Sequence, residues 1–338
     1  MSTIRDVAKL ANVSTATVSR ILNNDTKYKI TDETKSRVWD AVRALDYTLP
    51  AKPPRRKHEN TVQGEMCKIG CILSVTKKKY NDPYFMSIFA GIEKRLHEKG
   101  CTISFIKTGA ELTEPDGLTS AFKEPVSGLI LMESLNQELY HYVRDHVPHI
   151  VGIDTVREDI DNVGYDHYRA GLIATRHLIS QGHKKIGFIG GSGDSPDIMN
   201  SRRFQGYYIA MSEAGLPVNP EWTLNCEWDE DLCASQVDTL CKSGDLPTAI
   251  MAASDLMAIV AMNSLFRNGL SVPSDIAVTG ISNIDMTKYT TPPLTTVHIP
   301  TEEIGIVAAD MLLSRINGND LMPQQIILPI SLIPRGSV

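Results

Sequence analysis

Residue types that often carry catalysis are present, but none stands in a catalytic spacing. A glycine-rich stretch over 187–193 follows a predicted strand, yet it matches neither G-x-G-x-x-G nor a phosphate loop ending in Gly-Lys-Ser/Thr. His141, His146 and His149 lack the helical H-E-x-x-H spacing of a metal hydrolase, and no serine lies in a nucleophile-elbow context. These patterns predict a protein that is not an enzyme and that carries no cofactor and no metal.

A second set of residues suits contact with DNA. The stretch 3–23 predicts two short helices joined by a tight turn, and Thr15, Ala16, Ser19 and Arg20 lie off the apolar stripe of the second helix. Small residues beside an arginine permit close approach to base edges in a major groove, where Arg donates two hydrogen bonds to guanine. We therefore expect this surface to read base pairs.

Three short helices are expected to hold that surface. Their predicted N-caps are Thr3, paired with Asp6 in a capping box, then Ser14 and Thr31. The predicted apolar stripes are Val7, Leu10 and Ala11 in the first helix, Val18, Ile21 and Leu22 in the second, and Val38, Val42 and Leu45 in the third. Such stripes allow three helices to share one small core.

The charge changes sign along the chain. Residues 1–58 carry twelve Lys/Arg and six Asp/Glu, a net charge of +6, whereas the whole chain carries −6 and the remainder therefore −12. A basic head on an acidic body is expected if the head meets phosphate and the body does not. A solvated basic domain without a partner is the alternative.

A linker separates the two parts. Residues 46–66 contain prolines at 50, 53 and 54, a basic run over 55–57 and then mostly polar residues. This composition is typical of a connecting segment. We predict a helix-turn-helix domain over 1–48, a linker over 49–66 and an α/β body over 67–338.

Short apolar runs alternate with amphipathic stretches from residue 68 onward, which is typical of parallel strands and crossover helices. The predicted strands lie near 68–74, 102–107, 127–132, 149–153, 185–190, 248–252 and 275–280. The predicted helices lie near 85–99, 136–145, 168–181, 202–214, 230–243, 255–268 and 301–316. The length of this pattern predicts two α/β lobes.

The run T-I-x-D-V-A-x-x-A-x-V-S-x-x-T-V-S-R-x-L-N over 3–23 resembles the DNA-binding head of the lactose/galactose repressor family. The resemblance extends over 3–338 and implies a sugar-binding-protein fold, in which two lobes joined by three crossings hold a ligand in their cleft. It places lobe 1 at about 67–164 and 295–325 and lobe 2 at about 165–291 and 326–338. The segment 289–297 resembles one of the crossings.

The same resemblance implies roles for head residues. Thr15, Ala16 and Arg20 fall on base-reading positions. Residues that cap the helix or approach DNA are Thr3, Ser14, Thr17, Ser19 and Asn23.

The linker departs from the family pattern. The family forms a hinge helix here and inserts a leucine into the minor groove, but Pro53 and Pro54 disfavour a helix interior and Arg56 stands where the leucine is expected. We expect Arg55 and Arg56 to contribute electrostatic contacts to DNA instead.

Polar and aromatic residues at the ends of predicted strands mark a ligand cleft, because open α/β sheets bind ligands there. Ser74 and Asp154 follow strands, and Tyr84 and Phe85 open a helix in a segment that resembles the family's N-P-F-F. The resemblance adds the remaining candidates, in which Ser254 and Ser282 replace an Asn and an Asp of the family pattern: Arg203, Trp228, Ser254, Asp255 and Ser282. Core packing is the alternative for the aromatic residues.

We therefore predict a homodimeric repressor of sugar-utilisation genes. It would bind a near-palindromic operator and respond to a sugar-like effector, with the Thr15-Ala16 pair favouring a galactoside. A solute-binding protein would need a signal peptide where the head lies, and a sugar-processing enzyme would need a catalytic set. Six cysteines without a C-x-x-C pair predict small buried thiols. The sequence shows neither a signal peptide nor a run of 18 apolar residues, which predicts a cytoplasmic protein without a membrane partner.

Overall fold

A computed structural model describes residues 3–22, 31–45, 67–74, 82–114, 116–192 and 197–338. The chain divides into two units, Met1–Glu65 and Met66–Val338, which we call the head and the body. Asn23, Arg55 and Arg56, together with the prolines of the linker, lie outside the described residues.

The head contains the three predicted helices, α1 (Ile4–Ala11), α2 (Thr15–Leu22) and α3 (Asp32–Ala44). The Thr3 amide and hydroxyl donate to the Asp6 carboxylate at 2.8 and 2.7 Å, and these hydrogen bonds hold the pKa of Asp6 below its ordinary value. Ser14 Oγ accepts from the Thr17 amide at 3.1 Å. The predicted caps of α1 and α2 are confirmed.

The helices of the head share one small core. Its buried residues are Val7, Ala8, Ala11, Val18, Ile21, Val38 and Ala41. The prediction for Leu10 is wrong, because its side chain is 56% exposed. Ala8 takes its place: the buried face of α1 follows positions 7, 8 and 11, one step away from the predicted stripe.

The body contains two six-stranded sheets. The strands are β1 (Cys67–Leu73), β2 (Cys101–Thr108), β3 (Gly128–Met132), β4 (Ile150–Ile153), β5 (Asp161–Tyr165), β6 (Ile186–Gly190), β7 (Thr223–Asn225), β8 (Ala249–Ala252), β9 (Ala277–Ser282), β10 (Thr295–His298), β11 (Gln325–Leu328) and β12 (Ser331–Ile333). The helices are α4 (Pro83–Glu98), α5 (Gly109–Thr113), α6 (Gly117–Ala121), α7 (Gln137–His146), α8 (His167–Ser180), α9 (Arg202–Glu213), α10 (Glu230–Ser243), α11 (Asp255–Arg267) and α12 (Thr301–Ile316). None of the helices described is long and apolar enough to cross a membrane.

The two sheets repeat one strand order. The first runs β11-β5-β4-β3-β1-β2 and is parallel throughout, and the second runs β12-β10-β9-β8-β6-β7 with only β12 antiparallel. In both sheets the strand order reverses beside the first strand, which is where such folds bind ligands at the carboxyl ends of their strands. We call the first sheet with its packed helices the first lobe, and the second sheet with its packed helices the second lobe.

The chain passes between the lobes three times: between β5 and α8, between β10 and α12, and between β11 and β12. The predicted lobe limits are wrong at two places. Residues 295–298 pair with β9 in the second sheet, and residues 326–328 pair with β5 in the first sheet. The segment resembling a family crossing therefore ends inside the second lobe, and the chain leaves that lobe after β10.

All seven predicted strands and all seven predicted helices of the body are present, within about two residues at most ends. Elements not predicted from the sequence are the strands β5, β7, β10, β11 and β12 and the short helices α5 and α6. Four of the six cysteines are buried and two are half-buried, and all six are free thiols, as predicted.

Glycine allows one pair of helices in each lobe to touch through their backbones. A Cβ on Gly206 of α9 would lie 2.1 Å from the Tyr168 carbonyl oxygen of α8, and a Cβ on Gly171 of α8 would lie 2.1 Å from the Arg203 carbonyl oxygen. In the first lobe, Gly91 of α4 and Gly305 of α12 meet the opposite backbone at the same 2.1 Å. Any larger residue would force these helices apart.

We expect Gly206→Ala to lower the free energy of unfolding by about 1–3 kcal/mol, because the added methyl group meets backbone and not a mobile side chain. Equilibrium urea unfolding followed by circular dichroism measures the change. Gly109→Ala is the control, since a Cβ there would meet its nearest neighbours only at 3.6 Å. Equal unfolding midpoints for the two variants would contradict the role given to Gly206.

Candidate ligand cleft and nucleic-acid interface

Six of the residues predicted to contact DNA belong to α2 or directly precede it, while Thr3 caps α1. Ser14, Thr15 and Ala16 are exposed, while Thr17 and Arg20 are half-buried and Val18 and Ile21 are turned into the core. Ser19 is half-buried on the same helix. The small side chains at the start of α2 leave its N-terminus open to an approaching anionic backbone, whose negative charge the helix end favours.

A cavity of about 330 Å³ lies between the carboxyl ends of the two sheets. Eight of the nine predicted effector residues line it: Tyr84, Phe85, Asp154, Arg203, Trp228, Ser254, Asp255 and Ser282. Ser74 is not among its lining residues. The Ser74 hydroxyl donates to the Ser134 carbonyl oxygen, so it supports a wall of the cavity from behind.

Asp154 is held by two ring side chains. Its Oδ2 accepts a hydrogen bond from the Tyr84 hydroxyl at 3.1 Å, and its Oδ1 lies 3.1 Å from His167 Nε2. Burial, and then the negative charge of Asp154, raise the pKa of Tyr84 well above its ordinary value. Tyr84 therefore remains a neutral donor to the carboxylate.

Arg203 joins the two lobes from α9. Its Nη2 donates to the hydroxyl of Tyr165 on β5, and its guanidinium lies 5.2 Å from the ring of Trp228. Burial lowers the pKa of Arg203, but the surrounding Tyr165, Tyr84 and Asp154 oxygens outweigh this effect and raise it. The Nε–H of Arg203 is buried and has no hydrogen-bond partner among the described residues.

Left-handed backbone conformations cluster around the cavity. Glu133, Asp154 and Trp228 have φ of 58°, 52° and 60°, and Ser282 has 132°. These values are unusual for residues with a Cβ, and each costs of order 1–3 kcal/mol. They turn side chains at strand ends toward the cleft, which is a common property of ligand sites.

The side chains of Ser254 and Asp255 are occupied by the protein itself. Ser254 Oγ caps α11 by accepting from the Met257 amide at 3.2 Å. Asp255 is 1% exposed and accepts from the Ile284 amide at 2.9 Å and from the Thr296 hydroxyl at 2.5 Å. Asp255 therefore links the loop after β9 to β10, and it also lines the cavity.

Fourteen of the 22 residues that line the cavity were not predicted from the sequence. They are Asp82, Glu133, Ser134, Val156, His167, Gly191, Ser192, Asn200, Ser201, Arg202, Glu230, Leu256, Met257 and Ile284. His167 follows β5, a strand that was not predicted, so no sequence pattern indicated that this residue lies at the end of a sheet. Glu133 and Ser134 directly follow the predicted third strand, and that position was a signal that could have identified them.

Comparisons with known proteins agree on the type of architecture. Residues 3–49 match the family described as "Bacterial regulatory proteins, lacI family", and residues 175–338 match the "Periplasmic binding protein-like domain". The chain is 34% identical to the "HTH-type transcriptional repressor PurR" of Actinobacillus pleuropneumoniae serotype 3 (strain JL03), over 100% of this chain and 98% of that protein. It is also 34% identical to the protein of the same name from Aliivibrio salmonicida (strain LFI1238), over 94% and 92% of the two chains.

Two solved structures resemble the fold over nearly the whole chain. A complex of the transcriptional regulator CelR with cellobiose has a TM-score of 0.72 and 27% identity, with 100% of both chains covered. The lac repressor dimer bound to operator has a TM-score of 0.68 and 23% identity, with 99% of this chain and 98% of that chain covered.

Burial raises the pKa of Asp255 to about 6, although its hydrogen bonds oppose this rise. The folded protein therefore binds a proton more tightly here than the unfolded chain does, and stability falls as pH rises from about 4 to about 6. We expect the stability of the wild type relative to Asp255→Asn to fall by up to about 3 kcal/mol over this range and then to level off. Urea unfolding at a series of pH values measures it. A difference that does not vary with pH would contradict the assignment, and the exposed Asp231→Asn is the control.

Proposed function

The chain belongs to the lacI family of bacterial regulatory proteins and is a transcriptional repressor, not an enzyme, and from that premise we propose how it works. Two copies bind a near-palindromic operator as a homodimer, and a small effector in the cleft of the body modulates that binding. The observation that carries the proposal is that one chain contains both an exposed α2 surface in its head and a polar, partly aromatic cleft in its body.

The head is proposed to insert α2 into the major groove. Thr15 and Ala16 are small and exposed, and Arg20 lies one turn further along the same helix. Arg20 has the length and donors to contact guanine, while the caps at Ser14 and Thr17 bring amides and hydroxyls to the phosphate backbone. A two-fold protein dimer then matches two half-sites of a palindrome.

The effector is proposed to be a neutral, hydroxyl-rich molecule of sugar-like character. The carboxylates lining the cavity are Asp82, Glu133, Asp154, Glu230 and Asp255, against two arginines, Arg202 and Arg203. Carboxylates accept from hydroxyls and repel phosphates, while the guanidinium groups of Arg202 and Arg203 supply donors for ligand oxygens. The cellobiose held by CelR supports this class, and a galactoside remains the first choice within it.

Flat heteroaromatic ligands are the second candidate class. Tyr84 and Phe85 meet edge to face with ring centroids 5.1 Å apart, and Trp228 also lines the cavity. Such rings stack on purine bases as well as on sugar faces. A ligand panel must therefore contain nucleobases beside sugars.

Selection of bound sites from genomic DNA, followed by binding assays, tests DNA recognition. We expect Arg20→Ala to weaken specific operator binding by about 1–3 kcal/mol, since a bidentate contact to guanine is lost. Arg37→Ala removes the same charge from α3 and is the control. If Arg20→Ala and Arg37→Ala bind the operator equally well, base reading by Arg20 is excluded.

Titration of the panel against the protein–operator complex tests the effector. We expect one sugar or nucleobase to change operator affinity about 5- to 150-fold, the usual range of allosteric coupling. Arg203→Met should weaken binding of that ligand about tenfold or more, because a charged donor is lost from a buried site. Arg176→Met is the control, because Arg176 is exposed and paired with Glu213. Equal operator affinity with and without every ligand would contradict effector control by these compounds.

A further inference from the structure

We propose that His167 is a positioning residue of the cleft. From the first turn of α8 in the second lobe, it holds the Asp154 carboxylate of the first lobe. This inference rests on the effector role proposed for the cleft, and it goes beyond it by naming the side chain that ties one ligand-facing group to the position of the other lobe.

The geometry places the two residues on opposite lobes. Asp154 follows β4 of the first sheet, whereas His167 is the first residue of α8, which packs on the second sheet. Their side chains meet at 3.1 Å and are 10% and 25% exposed, respectively. Since a carboxylate only accepts hydrogen bonds, Nε2 must carry the proton in this contact.

Two further contacts fix the orientation of the imidazole. The His167 ring stacks on Tyr165 with centroids 4.1 Å apart and planes 12° apart. Tyr165 in turn accepts from Arg203, which comes from the second lobe. Two polar contacts cross between the lobes here, His167 with Asp154 and Arg203 with Tyr165. The stacked rings of His167 and Tyr165 place these two contacts side by side.

Asp154 has little freedom apart from these contacts. Its backbone is left-handed at φ 52°, and a Cβ on Gly164 would lie 2.0 Å from its Oδ1, so the strand behind it leaves no room for the carboxylate to turn away. Tyr84 holds the other oxygen within the first lobe. The first lobe thus holds Asp154 on one side, and His167 supplies its contact with the second lobe, so that removal of His167 would leave the carboxylate tied to the first lobe and no longer to the second.

The groups around His167 come from both lobes. Asp154 and Tyr165 contact it from the first lobe, and Arg203, which donates to the Tyr165 hydroxyl, comes from the second lobe. Burial raises the pKa of Tyr165, so its hydroxyl remains neutral where it accepts from Arg203.

Hydrogen exchange tests the inference without a ligand. The amides of Asp154, Thr155 and Val156 are all hydrogen-bonded, to the Val163 carbonyl, Asn162 Oδ1 and Ser134 Oγ. We expect His167→Phe, which keeps the ring but removes the donor, to speed their exchange about tenfold. His167→Gln, whose amide nitrogen reaches a position similar to Nε2, should restore protection.

Rescue by the conservative variant separates positioning from simple packing, because glutamine restores a hydrogen-bond donor but not the ring. His141→Phe is the control, because His141 is exposed on α7. Unchanged exchange at 154–156 in His167→Phe, or an equal change in His141→Phe, would overturn the inference.

Calorimetric titration with D-galactose and cellobiose adds the ligand readout. If either sugar binds, its affinity should fall about tenfold in His167→Phe and return to within about twofold in His167→Gln. If neither sugar binds the wild type but exchange responds as described, the proposed effector class fails and the role of His167 stands. If a sugar binds equally well to wild type and His167→Phe, the role of His167 fails and the effector class stands.

Discussion

The contact between the backbones of α8 and α9 is the constraint on which the second lobe's side of the cleft depends. Gly171 and Gly206 let the two helices approach until a Cβ on either would lie 2.1 Å from the opposite carbonyl oxygen. His167 lies at the start of α8 and Arg203 at the start of α9, so this one approach sets the spacing of both side chains. A wider crossing would separate the imidazole from the guanidinium and break their alignment with Asp154 and Tyr165.

The first lobe contains the same kind of glycine-mediated helix contact, which positions a different part of the site. Gly91 and Gly305 bring α4 and α12 into backbone contact, and the first turn of α4 carries Tyr84 and Phe85 to the cavity. Each sheet thus supplies strand-end residues, and each glycine-packed helix pair supplies the side chains that cover them. The cleft is built from two copies of one arrangement, and two polar contacts, His167 with Asp154 and Arg203 with Tyr165, cross between them.

The hydrophobic pattern was sufficient to predict the main strands and helices. Strand ends and the family resemblance together predicted eight of the residues that line the cavity, while fourteen were not predicted. β5 was missed because its first residues, Asp161 and Asn162, are polar and yet buried. Asp161 accepts from Arg315 Nε at 2.6 Å and Nη2 at 2.7 Å, and Asn162 accepts from Thr155, so distant partners make a strand from residues that favour a turn locally. For Asp161, burial raises the pKa of the carboxyl, but its hydrogen bonds with Arg315 and the Gln324 amide outweigh burial and lower it.

The lobe limits were misplaced at the second and third crossings, where β10 and β11 were not predicted. Missing β5 concealed His167, which lies at the first crossing, directly after that strand. The energies at this crossing are of the size that regulation requires. A hydrogen bond to a charged group contributes about 1.5–3 kcal/mol, and allosteric coupling needs about 1–3 kcal/mol. Two such contacts join the lobes at the cleft, at Asp154 and at Tyr165. A ligand that exchanges one of them for a contact of its own would alter the balance between lobe arrangements by enough to account for the proposed control, without any change in the packed cores of the lobes.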